Sequence, residues 1–258
     1  MPILPLNTAE LMAFILILIR VSVILAIVPI FGSSIIPGQV KIAMMLVLSY
    51  FLWTILEMDV SAFPRDFIGF APLVAIEAII GLSIGILIRT IFAGVQLAGQ
   101  LTGYQMGMAI ANVIDPQTGT QTSILAEFSY IMALFVFLAV NGHYLVIRGL
   151  VESFELVTPG RFTQSQALFD LIMNVASRMF VIAVKIGAAP FAVLFFTKVS
   201  MGIVAKAVPQ LNVLFVGLPL YIMIGLFVFG LSLTFFPTIL IEAFVELETN
   251  IITLLRLI

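Results

Sequence analysis

This chain has too few charges, too thinly spread, to hold it in water, and that shortage decides what it can fold into. Only 9% of its 258 residues are Asp, Glu, Lys or Arg, while 62% are hydrophobic. A soluble domain carries about 25% charged residues. With a mean hydropathy of +1.27, the chain reads as a polytopic membrane protein. Backbone groups in hydrocarbon find no water, so each apolar run has to close its hydrogen bonds within itself as a helix. Such runs cover 11–31, 40–58, 67–101, 124–147, 175–200 and 211–241, and an amphipathic tail follows over 242–258. The expected fold class is therefore all-α. The opening "MPILPLNTAELMAF" has no Lys or Arg before the first run, whereas a signal peptide needs a basic leading segment. The first run is expected to stay as a membrane helix.

The lengths and charges of the runs argue against simple crossings. Residues 211–241 would make a helix of about 46 Å, against a hydrocarbon core of about 30 Å. Tilt absorbs part of that excess. Pro190, Pro219 and Pro237 predict kinks or breaks, because proline removes a helical hydrogen bond. Alternate crossings would put Lys41, Arg89, Lys198 and Lys206 on one side, and Arg65, Arg148, Arg161, Arg178 and Arg256 on the other. That is no positive-inside bias, so the helices are not expected to alternate in the ordinary way. Arg20, Glu77, Arg89, Glu127 and Lys185 lie inside runs, where each costs about 2.5–3.5 kcal/mol if it faces lipid. An ion or proton relay is one explanation. The favoured one is that these groups pair with each other, with partner subunits or with water.

Much chemistry is excluded by residue type. A net charge of −2 gives no electrostatic footprint for nucleic acid. There is no cysteine and one histidine, His143, whereas a catalytic metal site takes three protein ligands. HExxH, P-loop, GxSxG and Rossmann patterns are missing. No metal, cofactor, catalytic residue or enzymatic activity is expected. His143 is expected at an interface, or buried with a hydrogen bond.

One stretch fits neither lipid nor water. "GQLTGYQMGMAIANVIDPQTGTQTS", residues 99–123, has no Lys or Arg. Gly99, Gly103 and Gly107 fall at four-residue spacing, one face of a helix, as Gly81 and Gly85 do upstream. Glycines so spaced let two helices approach closely. Met106 and Met108 add side chains that re-pack readily, and the run from Asp115 supplies turn formers. An exposed loop would account for the composition. So would a gate that seals a pore and then yields.

With "AVNGHYLVIRGL" and "VPQLNVLFVGLPLYIMIGL", this stretch resembles the FliR family, export-gate subunits of the bacterial flagellar type III secretion system. The resemblance runs from "FGSSIIPGQVKIAM" to the tail. Tyr221 departs from it, standing where relatives often have a basic residue. The family implies a multi-pass inner-membrane protein of the flagellar basal body, built of stacked, kinked helical hairpins. A FliP-like first part would occupy 1–175, and a FliQ-like final hairpin with the tail 176–258. It implies assembly with FliP and FliQ, contact with FlhB and FlhA, and passage of unfolded flagellar proteins.

The family's plug, matching Ile110 to Gln121 within about 106–123, would close the channel. Met106, Met108, Ile110, Val113 and Ile114 are then candidates for an apolar seal. Asn112, Asp115, Gln117 and Thr118 would form the polar hinge, with Gly103, Gly107 and Gly119 giving mobility, and Pro116 would line the channel with them. Pro209, Gln210, Asn212, Gly217 and Pro219 are assigned to packing against FliP and FliQ. Two alternatives stand beside this: an injectisome gate subunit, similar in layout, and a small secondary transporter, which would share the broken helices and midplane charges.

Overall fold

The apolar runs fold as helices, and the described residues contain no strand. The computed structural model describes residues 8–32, 36–56, 67–108, 123–160, 166–210 and 212–258. In chain order the helices are α1 (Thr8–Ile27), a single turn α2 (Pro29–Gly32), α3 (Gly38–Ile55), α4 (Phe67–Gln105), α5 (Ile124–Ala139) and α6 (Gly142–Leu156). There follow α7 (Gln166–Ala207), α8 (Val213–Ser232), a 3₁₀ turn (Leu233–Phe235) and α9 (Phe236–Leu257). Among the described residues five stretches are long and apolar enough to cross a membrane, or six if α5 and α6 form one broken span. The chain forms two compact units. One comprises Met1–Arg89, Asn141–Val175 and Val245–Ile258; the other comprises Thr90–Val140 and Ala176–Phe244.

In the first unit α1 is the central element. Leu16, Ile17, Val21 and Ile24 are fully buried, and α3 packs along it. The glycines of α4 let that helix lie directly on α1. A Cβ at Gly81 would stand 3.0 Å from the Val23 Cβ, and one at Gly85 2.7 Å from the Ile27 Cδ1. This is close backbone approach through small residues, the ordinary means of helix association where the hydrophobic effect is absent.

Arg20 and Glu77 lie within this packing, both with no exposed surface. The Arg20 Nε donates to Glu77 Oε2 at 2.6 Å, and Nη2 donates to Oε1 at 3.2 Å, a two-pronged pair. Nη1 donates to the Ser153 carbonyl at 2.6 Å, and both terminal nitrogens reach the Val157 carbonyl at 3.3 Å. Those carbonyls belong to the C-terminal end of α6, where a cation complements the helix dipole. Glu77 Oε1 also accepts the Gly160 N–H at 3.0 Å. The Phe154 ring covers the guanidinium at 4.2 Å. Three segments remote in sequence are thus fixed to one guanidinium–carboxylate pair. On the outer side of α6, Arg148 bridges Glu152 and Glu248 at 2.9 Å each, the latter on α9.

The second unit is centred on aromatic rings. Phe92 packs against Phe137, Tyr130 and Phe244 with centroids 5.6 to 6.0 Å apart. At Gly94 a Cβ would meet the Met179 carbonyl of α7 at 2.8 Å. In both units hydroxyls within helices are satisfied locally. Ser83, Thr102 and Ser129 each donate to the carbonyl four residues back, at 2.7–2.8 Å. Lys185 pairs with Glu242 at 3.4 Å. Arg89 and Glu127, by contrast, are exposed.

Several expectations are corrected. Residues 124–147 are not one helix, because the chain breaks at Asn141, which adopts a left-handed φ of 57°. The Asn-Gly pair at 141–142 carries that signal, since Asn tolerates this conformation better than most residues. Pro190 and Pro219 do not interrupt α7 and α8, which continue through them. The interruption in the last run comes at Leu233–Phe235 instead. Pro237 then falls in the first turn of α9, where its missing N–H leaves no bond unmade. Helix α7 begins at Gln166, well before the apolar run at 175. Hydropathy marks what suits lipid, not where a helix starts. His143 has its Nδ1 buried without a hydrogen-bond partner and lies against the Tyr144 ring at 4.4 Å.

The buried pair yields a test. Arg20→Met strands the Glu77 carboxylate and should cost about 3–5 kcal/mol, whereas Arg20→Met with Glu77→Leu should recover most of that loss. Thermal unfolding of these two variants, of Glu77→Leu alone and of the parent in detergent reads the cycle. A loss in the double variant equal to the sum of the two single losses would show that the pair is not coupled.

Candidate functional site

The polar stretch is flanked by two fixed helix ends in the second unit. Helix α4 stops at Gln105 for a visible reason. The Met108 N–H bonds the Gly103 carbonyl at 3.1 Å, and the Gly107 N–H bonds the Tyr104 carbonyl at 3.1 Å. With Gly107 at φ 82°, this is the Schellman arrangement, in which a left-handed residue ends the helix and satisfies its last carbonyls. Gly107 therefore does not continue the helical face of Gly99 and Gly103. Its role is the stop, which a residue with a Cβ adopts only under strain.

The other two glycines receive the start of α5. A Cβ at Gly99 would lie 2.5 Å from the Leu125 carbonyl and 2.6 Å from Ser129 Oγ, and one at Gly103 would clash with Ser123 Oγ. Ser123 is the N-cap of α5. Its carbonyl accepts the Ala126 and Glu127 N–H groups at 2.9 and 3.1 Å, while its Oγ is buried without a partner. The end of α4 and the start of α5 thus lie directly against one another. Ile110, Asn112, Val113, Ile114, Asp115, Pro116, Gln117, Thr118 and Gly119 lie outside the described residues.

Met106 is fully buried. Its side chain fills the space that Gly225 of α8 leaves open, where a Cβ would come 2.5 Å from its Cε. Met108, two residues on, is half-buried. Gly225 was not singled out from sequence, nor was Gly94. A lone glycine in an apolar helix gives no signal until its neighbour is known.

The α7–α8 connection carries the remaining candidates. Pro209, Gln210, Asn212 and Pro219 are exposed, and Gly217 is buried. A Cβ on Gly217 would approach the Tyr221 ring to 3.2 Å. That ring in turn sits under the Lys198 ammonium at 5.9 Å, a weak cation–π contact. Among the described residues no three His, Cys, Asp or Glu side chains gather as a metal site.

Similarity to known proteins agrees with this layout. The family model described as bacterial export proteins, family 1, matches residues 11–247. The flagellar biosynthetic protein FliR of Bacillus subtilis (strain 168) is 36% identical over 218 residues, covering 83% of each chain. FliR of Escherichia coli (strain K12) is 27% identical over 211 residues, covering 81% of this chain and 79% of that one. FliR of Aquifex aeolicus (strain VF5) is 27% identical over 205 residues, 80% of this chain and 79% of that one. The matched residues run from α1 to the middle of α9, and this all-α membrane chain belongs to the bacterial export proteins, family 1, alongside the FliR proteins.

Proposed function

We propose that this chain is the FliR-type subunit of the flagellar type III export gate, in the inner membrane within the basal body. With FliP and FliQ it forms the channel through which unfolded flagellar proteins leave, and FlhA and FlhB act beside it. The observation that carries this is the family match over residues 11–247 together with the flagellar FliR relatives. The chain supplies no reaction of its own; it supplies a passage and its closure. Residues 1–175 form the FliP-like part and 176–258 the FliQ-like hairpin. The open apolar side chains of α7 and α8, among them Phe195, Phe196, Phe215 and Phe227, suit a subunit that other subunits cover.

Closure is assigned to the segment between α4 and α5. The helix ends that flank it lie against one another, and between them the sequence is uncharged except for Asp115. Met106 anchors the segment in the α8 packing, Met108, Ile110, Val113 and Ile114 form the seal, and Asn112 with 115–119 gives the hinge. Pro209, Gln210, Asn212, Gly217 and Pro219 form the face presented to FliP and FliQ.

Deleting Ile110–Gln121 should leave assembly intact and make the inner membrane leaky to ions, read as membrane depolarisation in expressing cells. Unchanged polarisation in a strain that still assembles the complex would remove the plug. A Gly217→Trp chain should lose co-purification with FliP and FliQ, since the new side chain must displace the Tyr221 ring. Retention of both partners would place the interface elsewhere.

A further inference from the structure

We propose that Lys198 on α7 receives a carboxylate from a helix of the subunit that covers the α7–α8 face. The inference rests on the proposed reading that other subunits cover this face, and it assigns the chemistry of their contact. From Ile186 to Ala205 the chain has one charged residue, Lys198, and α8 has none over Val213–Ser232. Phe195 and Val199, next to Lys198 on α7, are 60% and 46% exposed, and on α8 Phe215 and Phe227 are 77% and 69% exposed. One exposed ammonium thus stands among open apolar side chains.

The hairpin cannot neutralise this charge by itself. No acidic residue occurs between Asp170 and Glu242, and Glu242 is engaged by Lys185. Among the described residues no carboxylate pairs with Lys198, and its ammonium lies over the Tyr221 ring at 5.9 Å. The connection at the end of the hairpin is also too far to serve it. Lys198 stands about 14 Å before Ala207 at 1.5 Å per residue, beyond the reach of a four-carbon stem. Tyr221 is about 12 Å into α8 from Val213, so the ring holds the ammonium across the two helices at that level. Lys206, by contrast, falls in the last turn of α7, where the helix dipole and water suit a cation.

While the face is open, water solvates Lys198. A subunit that covers the face removes that water, and a cation–π contact at this distance offsets little of the cost of burying a charge. A covered ammonium has to be paired. Asp and Glu are the side chains that bring a negative charge and accept from all of its donors. The surface beside Lys198 suits a helix as the carrier. Gly202 lies one turn on, on the same side of α7. It is exposed, and a Cβ built on it would meet nothing within 4 Å. A small residue at that place lets a second helix come close, with its carboxylate opposite the ammonium.

The test uses the complete complex, co-expressed with FliP and FliQ and purified through a tag on this chain. A carbodiimide joins an ammonium and a carboxylate in direct contact as an amide, the reagent taking up the water as a urea. Peptide mass spectrometry then locates the bond. Lys198 should be joined to an Asp or Glu of another subunit. Lys198→Arg should keep the partners and abolish the cross-link, whereas Lys198→Glu should lower their recovery about tenfold or more. Partners that stay with Lys198→Glu, or that leave with Lys198→Arg as well, overturn the proposal. So does an intact complex in which Lys198 is joined to no carboxylate, or only to Glu127 or Glu242 of its own chain. A parent chain that purifies without partners overturns the gate reading too, so the two failures are told apart.

Discussion

The Arg20–Glu77 pair is the constraint on which the first unit depends. Two opposite charges removed from water gain little net free energy over an apolar pair of the same volume. What they add is position. The guanidinium has five N–H groups in a fixed plane, and here they are directed to Glu77, to Ser153 and to Val157. Helix α1 sets where Arg20 is, the Gly81 and Gly85 contacts set how closely α4 lies, and the last turn of α6 must then place its carbonyls within about 3 Å. Apolar packing alone tolerates sliding along a helix. A buried fork of hydrogen bonds does not, because a shift of one turn strands a charge in a low-dielectric interior.

Glycine does two separate jobs on α4, and only geometry distinguishes them. Gly81, Gly85, Gly94, Gly99 and Gly103 are absences: each leaves room for α1, α7 or the start of α5. Gly107 is a conformation, with φ 82°. The spacing of 99, 103 and 107 suggests one face, and that holds for the first two. The third lies beyond the end of the helix. In sequence the two uses look identical, since a residue without a side chain carries no mark of why none was tolerated.

The same distinction separates what was legible from what was not. Composition dictated an all-α membrane chain, and the six apolar runs correspond to α1, α3, α4, α5 with the start of α6, α7, and α8 with the start of α9. Charges inside the runs were expected to find partners, and Arg20 with Glu77 and Lys185 with Glu242 did so. The identity of those partners was not readable, because Arg20 and Glu77 are brought together only by tertiary packing. Helix ends were misjudged wherever hydropathy and helicity part company. Helix α7 extends back through Asp170, Asn174 and Arg178, residues that helices accept and lipid does not. Proline was over-read in the opposite sense. Helix α7 continues through the buried Pro190 at the loss of one hydrogen bond.

The candidate gate shows why polar segments survive in so apolar a chain. A connection at membrane depth leaves unpaired backbone groups, tolerable only where protein or water meets them. The chain limits that exposure by ending α4 with its own carbonyls satisfied and by starting α5 against the glycines it has just left. The helix ends on either side of 109–122 are thereby fixed by bonds and contacts of their own. Met106 is sealed against Gly225 of α8, whereas Met108, two residues on, is only half-buried. The closure proposed above would need a base of this kind, because packing at both helix ends keeps a change between them from spreading into α4 and α5.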